Sequence, residues 1–191
     1  MASFGRPGSG EAKSMIHALP VLDDLLQHFA EPLGSNRQAY TNHVYRVLNI
    51  TAQLYDPDAD DLEKLAIAGA FHDIGLFADR TLDYLGPSET RAMAHLDEIG
   101  RPEWKKDVGA MVRWHHKITA VPADESALSE AFRRADWIDV LHGAVTCGIP
   151  PHKLREIFTA FPNAGFHLLL VKVSGKRLLT HPWNPMPILR W

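Results

Sequence analysis

Histidine and aspartate side chains recur inside apolar segments of the sequence, where a bound metal ion would explain them. Histidine makes up 11 of the 191 residues, and His72 and Asp73 are adjacent in the run Ala-Phe-His-Asp-Ile-Gly. A buried imidazole or carboxylate without a partner is costly, whereas both groups are ligands of divalent metals, which activate water for hydrolysis. The candidate ligands, in chain order, are His43, His72, Asp73, His95, the pair His115 and His116, and Asp136.

The mixture of imidazole and carboxylate narrows the choice of metal. It favours Fe, Mn, Co, Ni or Zn over Ca or Mg, which prefer sites made of oxygen ligands alone. Neighbouring residues on a helix point about 100° apart, so His72 and Asp73 can share one metal, or the carboxylate can lie between two. We therefore predict a cofactor of one or two divalent transition metal ions per chain.

The apolar residues around these candidates repeat with the period of a helix. On the second predicted helix, His43 shares a face with Val47, Ile50 and Leu54, so it should point inward. Gly75 is expected to let the chain turn after Asp73. The pattern predicts helices over about 14–31, 36–55, 59–74, 88–99, 102–115, 125–142, 151–161 and 166–173, with a loop over 76–87 and Ser88 as an N-cap.

This arrangement predicts one all-α domain, a helical bundle over residues 14–191. Residues 1–13 are rich in Gly, Ser and Pro and are expected to form a flexible N-terminal tail. The proline-rich end, 181–191, is expected to form an irregular C-terminal strap packed on the bundle.

Composition excludes several classes of protein. The net charge of −3 and the pI near 6.4 argue against nucleic acid as a partner. One cysteine, Cys147, leaves no disulfide framework and no cysteine-based zinc site. No apolar run reaches the roughly 20 residues of a membrane helix, and the start lacks a signal-peptide core. We expect a cytoplasmic protein with a small-molecule substrate and no membrane partner; whether it forms a homodimer stays open.

The order His…His-Asp…His…His…Asp resembles the HD-domain superfamily of metal-dependent phosphohydrolases over about residues 36–145. The resemblance implies that His43, His72, Asp73 and Asp136 ligate a metal. It also implies that Asp136, and not Asp139, is the ligand of the Ala-Asp-x-x-Asp segment. Asp139 would support a ligand without contacting the metal.

Two further histidines match the additional ligands of dinuclear branches. These branches include bacterial diadenosine-tetraphosphate hydrolases, cyclic-di-nucleotide phosphodiesterases and inositol-oxygenase-like enzymes. The resemblance implies His95 and His115 as those ligands, with His115 preferred over His116. The sequence departs from the dinuclear pattern, because Leu76 and Phe77 follow the His-Asp-Ile-Gly run where a lysine is expected.

The resemblance implies a metal-dependent hydrolase that acts on a small phosphorylated or polar metabolite, with a phosphomonoester or nucleotide favoured. The predicted catalytic residues are Asp73 and Arg46. Arg46 lies one turn after His43, as a phosphate clamp or as a structural ion pair with a nearby acid. The alternatives are a di-iron oxygenase or a cyanamide-hydratase-like enzyme on the same ligands, and, less favoured, a non-catalytic binding module.

Overall fold

The structure, a computed structural model, describes residues 13–180, 183 and 187–189, and these residues form helices joined by loops, with no strand. The predicted all-α class is therefore confirmed. The helices are α1 (Pro20–His28), α2 (Ala30–Leu33), α3 (Arg37–Leu54), α4 (Ala59–Phe71), α5 (Ile74–Ala78), α6 (Leu85–Glu98), α7 (Lys105–Trp114), α8 (Ala127–Val140), α9 (Pro151–Ala160) and α10 (Phe166–Thr180). Short 3-10 turns cover Gly34–Asn36 and Pro102–Trp104.

Helix α3 is the centre of the bundle. Most of its residues are buried, on all sides, because α8, α4, α9 and α10 pack around it. Helix α4 approaches it closely at Gly69, where an added Cβ would meet the side chains of Val44 and Leu48 at 2.8 Å. Capping fixes where two of the neighbouring helices begin, since Asp58 accepts a hydrogen bond from the Asp61 N–H and Ser126 accepts one from the Ser129 N–H.

The predicted helix over 14–31 is wrong in its first turns. Residues 13–19 are not helical, and α1 begins only at Pro20. Leu19 is extended, with φ −142° and ψ 103°, because a residue that precedes proline avoids the helical region. The backbone of the non-helical segment bonds to α3 instead: the Ile16 N–H donates to Asn49 Oδ1 at 2.8 Å, and the Leu19 N–H donates to Tyr45 Oη at 3.0 Å.

The predicted loop over 76–87 and the cap at Ser88 also need correction. Helix α5 continues the chain to Ala78, and α6 already begins at Leu85. Ser88 is buried inside α6, where its Oγ accepts the Gly75 N–H at 3.0 Å. Gly75 serves close packing instead of a turn, since an added Cβ would lie 2.9 Å from the Tyr84 carbonyl oxygen.

Helix α10 confirms the helical prediction for 166–173 and extends it to Thr180. The predicted N-terminal tail lies outside the described residues, except for Lys13. Most of the predicted C-terminal strap does too, although Ile188 packs into the core and Trp183 is exposed. The domain limits therefore stay a prediction. No helix in the described part of the chain has the length and apolar character needed to cross a membrane.

One carboxylate on α8 makes stability depend on pH. Burial raises the pKa of the Glu130 carboxyl, but hydrogen bonds from Arg133, the Val121 N–H and Arg134 outweigh burial and lower that pKa to about 2. A lowered folded-state pKa stabilises the protein above the unfolded value of about 4.5 and loses that effect as pH falls towards 2.

We therefore expect Glu130→Gln to lower the free energy of unfolding by about 1–2 kcal/mol at pH 7, allowing for partial solvent screening. Less than half of that difference should remain at pH 3. Urea denaturation of both proteins at pH 7, 5 and 3 measures it. An equal difference at all three pH values would contradict the role assigned to Glu130.

Candidate metal centre

Five of the six predicted ligands meet at the centre of the bundle. His43 comes from α3, and His72 and Asp73 form the turn between α4 and α5. His115 directly follows α7, and Asp136 lies on α8. None of the five residues is more than 2% exposed. Four segments that are distant in sequence therefore place imidazoles and carboxylates in one buried volume.

The three buried imidazoles are oriented in the same way. The Nδ1–H groups of His72 and His115 donate to the carbonyl oxygens of Gly69 at 2.7 Å and Val112 at 2.8 Å. Each carbonyl belongs to the last turn of the preceding helix, where backbone acceptors lack a helical partner. His43 Nδ1–H donates to Asp139 Oδ2 at 2.7 Å. All three residues therefore use Nδ1 for a supporting hydrogen bond and direct Nε2 towards the centre.

The Nε2 atoms of His43 and His72 lie 2.9 Å apart. Burial lowers the pKa of His72 to about 4, so at neutral pH its Nε2 offers a lone pair to a cation. Asp73 Oδ2 lies 3.8 and 3.5 Å from these two nitrogens, and Asp136 Oδ1 lies 3.6 and 4.0 Å from them. Ligands that are each about 2.0–2.2 Å from one metal are spaced in this range.

Asp136 provides independent support for a cation. Both of its carboxylate oxygens are buried and lack a hydrogen-bond partner among the described residues. Burial raises the pKa of Asp136, but the surrounding imidazoles, His116 foremost, lower it below its ordinary value. The carboxylate contacts imidazole nitrogens at 3.3–4.0 Å but accepts no hydrogen bond among the described residues, so the donor set fits a metal at this position.

A second group of ligand atoms lies on the other side of Asp73. The Oδ1 atom of Asp73 lies 3.1 Å from His115 Nε2 and 3.8 Å from His116 Nε2. The three residues could hold a metal of their own. Asp73 thus presents one oxygen to each group and would be a ligand of a metal held by either.

His116 joins the cluster, although the sequence favoured His115 alone. Helix α7 ends at Trp114, so two consecutive histidines can both turn inward, with ring centroids 4.0 Å apart. His116 Nδ1 lies 3.3 Å from Asp136 Oδ2, and its Nε2 lies 2.7 Å from Tyr84 Oη. The adjacent pair His115 and His116 is the feature of the sequence that could have indicated that both belong to the cluster.

His95 requires a correction, because the structure places it away from the other five residues. It stacks near Phe71 at 5.5 Å between centroids and lines a surface cavity with His28 and Glu98. Burial and His28 lower its pKa against the opposing effect of Glu98. Its assignment rested on the order of histidines along the chain, which does not specify where a side chain lies in the fold.

We expect His95→Ala to leave metal content unchanged and His116→Ala to reduce it. Both variants lose a histidine near a helix end, so the expected difference comes from position: His116 lies in the cluster and His95 lies away from it. Elemental analysis of the two purified variants beside the wild type measures the effect. Loss of metal in His95→Ala, with full retention in His116→Ala, would reverse the assignment.

Arg46 also requires a correction, since it does not reach an open site. Its side chain is fully buried. Nε and Nη2 donate to the two carboxylate oxygens of Asp139 at 2.5 and 2.9 Å, and Nη1 donates to the Phe161 carbonyl at 3.0 Å. Burial raises the pKa of Asp139, but His43 and then Arg46 outweigh it and lower the value to about 2. Arg46 holds Asp139 charged, and Asp139 orients His43.

Phe166 contacts the centre although no motif marks it. Its ring stacks on His43 with centroids 4.0 Å apart and planes 14° apart. It begins α10, more than 120 positions along the chain from His43. A contact across such a separation has no local signature in sequence. Phe166 closes the side of the centre that α10 covers.

Comparison with known proteins agrees with this geometry. The family model described as "HD domain" matches residues 40–143, which is more than half of the chain and contains every residue of the cluster. No curated protein matches the chain, and no solved structure matches it. The chain belongs to the HD domain family.

Proposed function

We propose that this protein is a metal-dependent phosphohydrolase acting on a small phosphorylated metabolite, a phosphomonoester or nucleotide. The observation that carries the proposal is the convergence of three imidazole Nε2 atoms, each ring held through Nδ1, on two buried carboxylates. The residues proposed to hold one or two divalent transition metal ions are His43, His72, Asp73, His115, His116 and Asp136.

A divalent metal bound there would supply an activated water and polarise a phosphoryl oxygen. The chain's own residues position these groups. Asp139 and the carbonyls of Gly69 and Val112 fix the imidazole rings, and such supporting contacts tune both affinity and reactivity. Asp73 presents its oxygens to both groups of nitrogens.

His116 marks the side from which a substrate would approach. Its side chain is 11% exposed, whereas those of His43, His72 and His115 are completely buried. Tyr84 lies beside it, and burial and the nearby Asp73 raise the pKa of the Tyr84 hydroxyl well above its ordinary value. Tyr84 therefore keeps its proton and can donate it to a hydrogen-bond acceptor at this edge.

Release of inorganic phosphate tests the proposal. The protein is stripped with a chelator, reloaded separately with Mn, Fe, Co, Ni or Zn, and supplied with a panel of phosphomonoesters and nucleotides. Phosphate release should require a reloaded metal. Retained turnover after complete stripping would contradict the proposal. Metal binding without turnover of any phosphorylated compound, together with oxygen consumption, would favour the oxygenase alternative.

A further inference from the structure

A cavity of about 430 Å³ lies between α10 and the segment that follows α5. This volume is in the range of about 300–1,000 Å³ that is typical of small-molecule sites. None of the described residues that line the cavity carries a carboxylate. Two threonines, Thr81 and Thr180, lie on its wall. Four basic side chains line it as well, and they are Arg80, Lys172, Lys176 and Arg177.

Three of the four basic side chains form no ion pair with a described residue. Within the described part of the chain, Arg80, Lys172 and Lys176 form no ion pair. Asp79 is the acid next to Arg80, but it pairs with Arg91 through hydrogen bonds of 2.6 and 2.9 Å. The whole chain has a net charge of −3, so this concentration of positive charge is local. An anion in the cavity would relieve the repulsion between these side chains.

The cavity shares its walls with the elements of the metal centre. Leu76 lines it three residues after Asp73, and Leu82 lines it two residues before Tyr84. Helix α10 begins at Phe166 beside His43. A rise of 1.5 Å per residue puts Lys172 about 9 Å along the helix from Phe166. The basic side chains are therefore near the centre but separate from it.

We propose that this cavity is a second, metal-independent binding site for a phosphate group. Arginine guanidinium groups match phosphate oxygens in pairs, and lysine and hydroxyl groups add single hydrogen bonds. The volume leaves room for the group that carries the phosphate. A multiply phosphorylated small molecule is the ligand class that fits. This inference does not rest on hydrolysis at the metal centre, since the cavity needs no metal to attract an anion.

Calorimetric titration with inorganic pyrophosphate tests the site on the full-length protein. The double variant Lys172→Gln/Lys176→Gln removes two positive charges from the cavity. The control Lys106→Gln/Lys153→Gln removes two from lysines that do not line it. Both pairs leave the helices intact, because glutamine is a good helix former. We expect affinity to fall at least tenfold in the cavity variant and less than twofold in the control.

The same titration on Asp73→Asn separates the cavity from the metal centre. Pyrophosphate binding that survives in Asp73→Asn and is lost in the cavity variant supports the proposal, whatever the activity of the protein. Equal affinity in the cavity variant and its control, or no binding by the wild type, would overturn it.

Sedimentation with lipid vesicles shows whether the phosphate belongs to a lipid headgroup or to a soluble ligand. Sedimentation with phosphatidic acid vesicles that pyrophosphate competes away would assign a lipid headgroup to the same site. Absence of sedimentation, with pyrophosphate binding, would assign a soluble ligand. Sedimentation without any pyrophosphate binding would overturn the cavity site in favour of contact through the exposed apolar residues of α10, such as Val171 and Leu179.

Discussion

Asp73→Asn is expected to remove the metal and the activity together. Asp73 faces both groups of nitrogens closely, with Oδ2 3.5 Å from His72 Nε2 and Oδ1 3.1 Å from His115 Nε2. Asparagine keeps the shape but loses the charge and one of the two oxygen ligands. Changes in supporting residues alone cost about 10–100-fold in affinity or activity, so loss of the shared ligand should exceed a hundredfold.

The measurement compares metal content, phosphate release and far-ultraviolet circular dichroism. Asp83→Asn is the matched control, because Asp83 is an exposed aspartate outside the cluster. The control should retain both metal and turnover. Full metal content in Asp73→Asn would show that the cluster is not the metal site. Full turnover in a metal-free Asp73→Asn protein would refute metal-dependent hydrolysis altogether.

Arg46→Met is expected to be strongly destabilising, although Arg46 touches no substrate. The guanidinium is completely buried and neutralises Asp139. Removing one partner of a buried ion pair leaves an uncompensated charge, at a cost of about 3–5 kcal/mol. Methionine fills similar volume, so the loss should come from charge and hydrogen bonding. Metal affinity should fall as well, because Asp139 would no longer be held against His43.

Arg91→Met provides the comparison for that effect. Arg91 also makes two hydrogen bonds to one carboxylate, that of Asp79, but this pair is about one third exposed. An exposed pair contributes about 0–1 kcal/mol. Urea denaturation should therefore give a far lower free energy of unfolding for Arg46→Met than for Arg91→Met or the wild type. Similar stability of the two variants would contradict the structural role assigned to Arg46.

The sequence predicted the elements that carry the cluster better than the elements around it. Apolar periodicity located α3 and α8 within two residues of their ends, because both helices bury a continuous stripe. It failed at Ser88, which resembles a helix cap. Its hydroxyl accepts a hydrogen bond from Gly75 in another helix, and tertiary partners of this kind leave no local pattern.

For the candidate ligands, too, the sequence indicated which residues could bind a metal but not which distant residues they contact. The place of His95 in the order of histidines suggested a metal ligand, but order along the chain cannot specify which part of the fold a residue meets. It meets Phe71 and a surface cavity. Arg46 lies one turn from His43, a position that is compatible both with a phosphate clamp and with a structural ion pair. The choice depended on Asp139, 93 positions away, whose carboxylate the structure places against both residues.

Metal content per chain tests the central claim most directly. The protein would be purified without added metal or a histidine tag and examined by elemental analysis, before and after reconstitution. The account predicts one to two equivalents of Fe, Mn, Co, Ni or Zn per chain, with two assigning His115 and His116 to a second ion. The Asp73→Asn protein should hold less than a tenth of the wild-type amount. Absence of bound metal in the wild type, even after reconstitution, would contradict the account.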